Sequence, residues 1–209
     1  MELFSHETVA VLAFAPEAGY PRLTRSVLRE LNELLEEVRS AGLFTGVVIA
    51  SSPRSFAAGA DIHEVASVEG FQAREFGELG QSTCRRLESF PLPVVAAIRG
   101  YCLGGGLDLA IACHGRVATY DSSFGYPGAA LGLITGWGGT QRLPRLVGKP
   151  TALQMLLTAD RIPATQALTM GLVDELVPSH DLIYAAAKRA QVLCAYSKSS
   201  QKLGGEIAV

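Results

Sequence analysis

The sequence predicts an α/β fold with largely parallel strand pairing. Two short apolar runs, Gly46–Ala50 and Val94–Ile98, have the length and the β-branched content of buried strands. Two other segments, Thr24–Arg39 and Phe71–Phe90, repeat apolar residues at helical spacing. Strands that alternate with helices in this way are typical of parallel sheets, because parallel strands need a long crossover between them.

Local signals set the boundaries of these elements. A strand is expected at Thr8–Phe14, and the helix that begins at Thr24 can end at Gly42, because glycine tolerates a left-handed backbone. Pro91 and Pro93 end the second helix. The remaining predicted elements, in chain order, are a helix at Gly105–Cys113, a strand at Arg116–Thr119, short helices at Gly138–Leu146, Thr151–Thr158 and Thr165–Met170, a strand at Val173–Val177 and a helix at Asp181–Cys194.

Composition limits the classes of function. The chain has 209 residues, of which 48% are hydrophobic and 18% charged, so it can bury a sizeable core. A net charge of −2 offers no basic surface, and no nucleic-acid partner is expected. No apolar run approaches the length of a membrane span, and the first residues lack the pattern of a secretory signal. The four cysteines form no Cys-x-x-Cys pair, so we expect reduced thiols, a cytoplasmic protein and no metal site.

Two segments rich in small residues follow the two best strand candidates. Residues 55–61 read Ser-Phe-Ala-Ala-Gly-Ala-Asp, and residues 99–108 read Arg-Gly-Tyr-Cys-Leu-Gly-Gly-Gly-Leu-Asp. Each can bring bare backbone N–H groups to the end of a strand. Two such donors aimed at one point form an oxyanion hole, which stabilises negative charge on a carbonyl oxygen. Taken alone, a glycine cluster is more often a turn or a close helix–strand contact.

Other glycine-dependent functions lack their motifs. The Gly-x-Gly-x-x-Gly pattern of dinucleotide binding does not occur around residue 104. Residues 147–150 lack the upstream glycine and the hydroxyl residue of a P-loop. There is no Gly-x-Ser-x-Gly elbow, so serine hydrolase chemistry has no support.

A third segment, residues 124–143, reads Phe-Gly-Tyr-Pro-Gly-Ala-Ala-Leu-Gly-Leu-Ile-Thr-Gly-Trp-Gly-Gly-Thr-Gln-Arg-Leu. In this order and spacing, the three segments resemble the enoyl-CoA hydratase/isomerase (crotonase) superfamily, and the resemblance continues to about residue 190. It implies a crotonase-like spiral of ββα units with an acyl-CoA site in residues 1–145. Residues 146–209 are then expected to be a helical C-terminal region, shortened relative to the family. The resemblance also implies a homotrimer or a dimer of trimers.

The resemblance further implies which groups act on the thioester. The N–H groups of Ala60 and Gly105 match the oxyanion donors of the family, and Asp108 matches the first of two carboxylates, in a shorter form. Gly128 occupies the position of the second carboxylate. Efficient hydration by two carboxylates is therefore not expected, whereas one acid–base group fits a double-bond shift or another enolate reaction. The alternative role for Asp108 is that of a capping or surface acid near a helix N-terminus.

Further positions are predicted to bind the substrate. Arg54 and His63 could contact the phosphates of CoA or could be solvated loop residues. Tyr126 could lend a hydroxyl to the pocket or simply pack, and Trp137 could narrow the acyl tunnel or fill the core. The predicted substrate-binding set is Arg54, Ala58, Asp61, Ile62, His63, Gly104, Tyr126, Gly128 and Trp137.

The resemblance thus implies an enoyl-CoA hydratase/isomerase-like enzyme of fatty acid metabolism. Its partner would be an acyl-CoA or acyl-carrier thioester, and no cofactor is implied beyond the coenzyme A of the substrate. The alternative is a non-catalytic or impaired acyl-CoA-binding homologue, which Gly128 and the short C-terminal region favour.

Overall fold

The computed structural model describes residues 1–15, 19–51, 54–61 and 70–205. Over those residues the chain forms nine strands, arranged in two sheets, and seven α-helices. The predicted α/β class is confirmed.

A main sheet of mostly parallel strands forms the centre of the molecule. Its first strand is antiparallel to the second, and every other pair is parallel. The middle strands are buried along their whole length, as their apolar sequences require. The spatial order is β1 (Glu2–His6), β2 (Val9–Ala13), β3 (Gly46–Ala50), β4 (Val94–Ile98), β6 (Gly115–Thr119) and β9 (Glu175–Val177).

A second, smaller sheet lies beyond the carboxyl ends of the main strands. It consists of β5 (Tyr101–Leu103), β7 (Ser123–Gly125) and β8 (Ile162–Pro163). β5 follows β4 in the chain after two residues, and β7 follows β6 in a similar way, so the chain passes from one sheet to the other at these points. Ala57 extends the small sheet through a parallel bridge with Cys102.

Helices complete the repeating units. The order β4, β5, helix is repeated by β6, β7, helix, which is the predicted succession of ββα units. The helices are α1 (Arg25–Ala41), α2 (Gly70–Glu88), α3 (Gly105–Ala112), α4 (Gly139–Val147), α5 (Lys149–Thr158), α6 (Ala164–Thr169) and α7 (Leu182–Gly205).

The main sheet is covered on both faces. Val9 and Val11 of β2 belong to the apolar cluster formed with α7, whereas Ala10 and Leu12 belong to the larger cluster that includes α1, α2 and α3. This is the alternation expected of a strand whose successive side chains point to opposite faces. α7 packs so closely on β3 that a β-carbon on Gly46 would lie 2.8 Å from the Cβ of Ala190.

Most predicted boundaries agree with the structure to within a few residues. Thr24 caps α1, where its Oγ1 accepts a hydrogen bond from the N–H of Val27 at 3.3 Å, and Gly42 ends the helix in a left-handed conformation. β1 and the short strands of the second sheet were not predicted, and α7 continues past the predicted end at Cys194. The predicted division between a core region, residues 1–145, and a helical C-terminal region, residues 146–209, stays a prediction.

Over the described residues, no helix combines the length and the apolar character that crossing a membrane requires.

Candidate active site

A cavity of about 350 Å³ opens beside the N-terminus of α3. Besides this helix end, three parts of the chain surround it: the small-residue segment 58–60, one side of α2, and the loop between β7 and α4. Its wall is mostly apolar, and Asp108 is its one carboxylate among the described residues. The cavity is lined by Ala58, Gly59, Ala60, Ala73, Phe76, Gly77, Gly104, Gly105, Asp108, Tyr126, Pro127, Gly128, Leu131, Leu133, Ile134, Thr135, Gly136 and Trp137.

The two small-residue segments meet at this cavity. Ala57 accepts a hydrogen bond from the N–H of Leu103 at 3.0 Å, which aligns the segments side by side. The next residue but one, Gly59, has a φ of +101°, and a β-carbon there would lie 3.2 Å from the Leu103 carbonyl oxygen and 3.7 Å from the Gly105 nitrogen. Glycine is therefore required for this close approach.

The close approach leaves two backbone donors at the cavity wall. Within the described part of the chain, neither the Ala60 N–H nor the Gly105 N–H donates a hydrogen bond to another residue. Gly105 is the first residue of α3, so its N–H also lies at the positive end of that helix. An oxygen that carries developing negative charge is the natural acceptor for such a pair.

Asp108 lies in the first turn of α3 and is fully buried, with 0% of its surface exposed. Its Oδ1 accepts a hydrogen bond from the Tyr126 hydroxyl at 2.9 Å. Its Oδ2 accepts one from the Trp137 backbone N–H at 3.2 Å and another from the Thr135 hydroxyl. All three donors come from residues 126–137, so one segment of chain holds the carboxylate.

Burial and hydrogen bonding act on the charge of Asp108 in opposite directions. Burial raises the pKa of this carboxyl group above its usual value, because the ionised form loses its hydration. The hydrogen bonds from Thr135, Tyr126 and Trp137, and the positive charge of Arg142, offset part of this rise in pKa. The same burial raises the pKa of the Tyr126 hydroxyl, so Tyr126 remains a neutral donor. A carboxylate with a raised pKa is suited to exchange protons with a weak carbon acid.

Gly128 leaves space in the cavity wall where the resemblance predicts a second acid. It lies in a 3₁₀ turn, Pro127–Leu131, and its φ is not positive. The nearest atom to a β-carbon on Gly128 would be the Leu133 Cβ at 3.4 Å, which is an ordinary contact. A side chain is therefore sterically admissible at this position.

Trp137 lies at the boundary between the cavity and the buried core. It is 6% exposed, lines the cavity and packs edge-on against Phe76, with ring centroids 5.5 Å apart. A β-carbon on Gly105 would lie 2.5 Å from the indole Cζ3, and Gly80 on α2 is crowded by the same ring. The indole thus occupies room that these two glycines leave open.

Comparison with known proteins places this architecture in a family. The family model described as enoyl-CoA hydratase/isomerase matches residues 6–204. The chain belongs to the enoyl-CoA hydratase/isomerase family. Its predicted recognition as a crotonase relative is confirmed.

Solved structures of the family resemble this chain over most of its length. An enoyl-CoA hydratase from Bacillus anthracis is 34% identical, with 91% of this chain and 74% of that chain covered and a TM-score of 0.86. DspI from Pseudomonas aeruginosa is 31% identical, with 99% and 88% covered and a TM-score of 0.87. An enoyl-CoA hydratase from Thermoplasma volcanium is 27% identical, with 98% and 86% covered and a TM-score of 0.85.

The structure brings most, but not all, of the predicted site residues of this family member together. Ala58, Gly104 and the residues discussed above line the cavity. Asp61 does not, and its carboxylate pairs with Arg22 at 2.8 Å. Arg54 is exposed and lies outside the cavity wall. Ile62 and His63 fall outside the described residues.

Several residues that contact Asp108 or line the cavity were not predicted from the sequence. Thr135 contributes a hydroxyl to Asp108, and Gly139 packs against the same carboxylate. Both lie in the third family segment, which was the available signal. Leu131, Leu133 and Ile134 present exposed apolar side chains along the cavity, and Ile134 is 66% exposed. Over the described ranges, no three His, Cys, Asp or Glu side chains are grouped as a metal site would require.

Proposed function

We propose that the protein is an enzyme of the enoyl-CoA hydratase/isomerase type that acts on an acyl-CoA thioester through an enolate. The observation that carries the proposal is the position of Asp108. It is a buried carboxylate in the wall of the cavity that the backbone N–H groups of Ala60 and Gly105 also line, and within the described residues neither N–H has a hydrogen-bond acceptor. This arrangement joins a base to a site for the charge that the base creates.

The mechanism follows from these groups. The thioester oxygen accepts hydrogen bonds from the Ala60 and Gly105 N–H groups. Asp108 serves as the base for the proton that leaves the carbon next to the thioester carbonyl, and the electron pair of the C–H bond moves onto the carbonyl oxygen as an enolate. Return of the proton to a more distant carbon of a β,γ-enoyl chain shifts the double bond. Loss of one oxyanion donor typically costs about 100- to 1000-fold in rate.

A double-bond shift suits this site better than hydration. Hydration by the two-carboxylate route divides water activation and carbon protonation between two acids, and Gly128 supplies none. One carboxylate is enough to move one proton along an acyl chain.

Gly128 also supports a second candidate, a non-catalytic or impaired acyl-CoA-binding homologue. In that case the cavity and the backbone donors would bind a thioester without turnover. Either candidate leaves Arg54, Asp61, Ile62 and His63 as proposed contacts for the CoA moiety. An acyl-carrier thioester, a cytoplasmic location, and a homotrimer or a dimer of trimers remain parts of the proposal.

The deciding experiment is mass spectrometry of short and medium acyl-CoA and enoyl-CoA thioesters incubated with the protein in heavy water. Deuterium uptake without a gain of water is expected, because an enolate forms and is reprotonated. A gain of one water would show hydration with a single acid. Binding without either change would favour the non-catalytic candidate.

The matched variant for this experiment is Asp108→Asn, which keeps the shape of the side chain and removes its basicity. It is expected to lower deuterium uptake by about 100- to 10,000-fold, the usual contribution of a general base. Full uptake by Asp108→Asn would remove Asp108 from the mechanism.

A further inference from the structure

Asp108 belongs to the cavity wall, yet its side chain presents no surface to solvent. Its exposed fraction is 0%, and both carboxylate oxygens already accept hydrogen bonds. A substrate carbon that enters this cavity therefore meets the groups that cover the carboxylate before it meets the carboxylate itself. Proton transfer between them needs either a displacement of those groups or a relay through one of them.

The three covering groups differ in their ability to relay a proton. Trp137 contributes a backbone N–H, which donates but has no lone pair to accept a proton in return. Tyr126 contributes a hydroxyl from a side chain that is only 3% exposed. Thr135 contributes a hydroxyl from a partly exposed residue that also lines the cavity. Both hydroxyls can donate and accept, and Tyr126 also lines the cavity, but Thr135 is the more exposed of the two residues. Its hydroxyl is therefore the better placed to contact substrate and carboxylate at once.

We propose that Thr135 is a catalytic residue that relays the proton between the substrate carbon and Asp108. This inference rests on the proposed function, because it concerns the same enolate. It assigns to Asp108 the role of final proton acceptor and to the Thr135 hydroxyl the direct contact with the substrate.

The relay consists of two linked proton transfers, and every bond that breaks is matched by one that forms. The C–H bond next to the thioester carbonyl breaks, and its electron pair becomes that of the enolate. The Thr135 oxygen accepts the released proton as its own hydroxyl proton passes to Oδ2 of Asp108. Threonine is regenerated, and Asp108 becomes a neutral carboxyl group. Reprotonation of carbon runs the same two transfers in reverse.

Tyr126 provides a matched control for a purely structural role of Thr135. Both hydroxyls donate to the same carboxylate, one to each oxygen. If the hydroxyls only hold Asp108 in place, then Tyr126→Phe and Thr135→Val should have similar effects, because each removes one hydrogen bond. If Thr135 relays the proton, then Thr135→Val should be much the more damaging.

The test is deuterium uptake from heavy water into hexanoyl-CoA, compared among the wild type, Thr135→Val, Thr135→Ser, Tyr126→Phe and Asp108→Asn. We expect Thr135→Val to slow uptake at least about 100-fold, as for loss of an acid–base group. Tyr126→Phe should slow it by about tenfold, the usual consequence of losing one hydrogen bond. Thr135→Ser keeps the hydroxyl and should lose less than Thr135→Val.

A second measurement does not depend on how the variants fold. Hexanoyl-CoA that carries a trace of tritium next to its carbonyl is incubated with the wild type in light or in heavy water, and the rate of tritium loss to the solvent is followed. A relay moves an exchangeable hydroxyl proton during carbon–hydrogen cleavage, so heavy water should slow the loss. Direct abstraction by the carboxylate moves no solvent-derived proton, and an equal rate in both solvents would overturn the relay.

The outcomes separate the two proposals. Uptake that is lost in Asp108→Asn but is equal in Thr135→Val and Tyr126→Phe would overturn the relay and leave the proposed function standing. An absence of uptake in the wild type with every thioester would overturn both.

Discussion

Gly139 packs against the carboxylate of Asp108 so tightly that a β-carbon on Gly139 would overlap Oδ1. The same β-carbon would lie 2.5 Å from the Tyr126 hydroxyl oxygen and 2.8 Å from the Thr135 Cγ2. Gly139 is the first residue of α4, and its conformation is not left-handed, so the requirement for glycine here is one of space. The side chain that is absent at residue 139 is what allows the acid and its two hydroxyl donors to meet.

Gly139→Ala should therefore displace the carboxylate and lower kcat/KM by about 100-fold, the usual cost of a misplacement of about 1 Å. Steady-state kinetics on the thioester that turns over will measure this, with a melting curve to check folding. Gly136→Ala is the matched control, because a β-carbon on Gly136 meets no atom within 4 Å. Equal activity of the two variants would show that the carboxylate tolerates movement.

The buried charge of Asp108 should be visible in the pH dependence of folding stability. Its folded-state pKa lies above the ordinary value of 3.8, because burial disfavours the ionised form. The stability that this group contributes is then fully present below 3.8 and is lost as pH rises through the higher folded-state pKa.

Asp108→Asn cannot titrate at this position, so its free energy of unfolding relative to the wild type should rise with pH across that window. Urea unfolding of both proteins between pH 4 and pH 8 measures the difference. Any constant effect of the substitution on hydrogen bonding cancels in the slope. A difference that is flat with pH would mean that the hydrogen bonds fully offset burial, and one that falls would mean that they outweigh it.

Gly128→Glu should raise hydratase activity. The position lines the cavity and accepts a β-carbon without strain, so the substitution can supply the acid that the two-carboxylate route needs. We expect an increase of about 100-fold in the rate of water addition to crotonyl-CoA, at the lower end of general acid–base contributions. The assay follows the loss of enoyl absorbance.

Gly128→Gln is the control for that gain, because it has nearly the same shape and no acid. Equal rates for the Glu and Gln variants would show that the cavity does not place water between residues 108 and 128.

Trp137→Phe should shift the preferred acyl length upward. The indole lines the cavity and fills space beside Gly105, and a smaller ring frees part of that space. One added methylene in an apolar pocket is worth about 1–3 kcal/mol, so the ratio of kcat/KM for octanoyl over butanoyl substrates should rise about tenfold or more. Competition between the two thioesters in one tube gives the ratio directly.

Phe90→Leu is the control for lost core packing. Phe90 is buried like Trp137 but does not line the cavity, so we expect a similar loss of stability. It should lower the melting temperature without changing the length ratio. A ratio that is unchanged in Trp137→Phe as well would mean that Trp137 only fills the core.

The sequence predicted those elements of the fold that are determined by residues adjacent in the chain. Gly46–Ala50 and Val94–Ile98 are strands with the predicted boundaries, because continuous apolar runs of that length are buried on both faces. β1 was missed because most of its residues are exposed and it pairs only at the edge of the sheet. β8 has two residues, too few for any periodicity to appear.

The candidate site also contains features that the sequence predicted and features that it did not. The meeting of the two small-residue segments was predicted, since each follows a strand of one parallel sheet and the carboxyl ends of those strands share an edge. The Thr135 hydroxyl and the contact of Gly139 with Asp108 were not. They join positions distant in sequence through packing of the loop before α4, and no local pattern marks that packing.

The segment that holds Asp108 is separate from the segments that supply the backbone donors of Ala60 and Gly105. Residues 126–139 could therefore be exchanged as a cassette, with the strand ends that would bind the thioester oxygen left unchanged. A library restricted to that cassette would vary the acyl wall and the hydrogen bonds to Asp108 while the proposed backbone donors to the thioester oxygen stay in place. In evolutionary terms, such a division lets the acyl wall and the surroundings of Asp108 vary while the proposed donors to the thioester oxygen are kept.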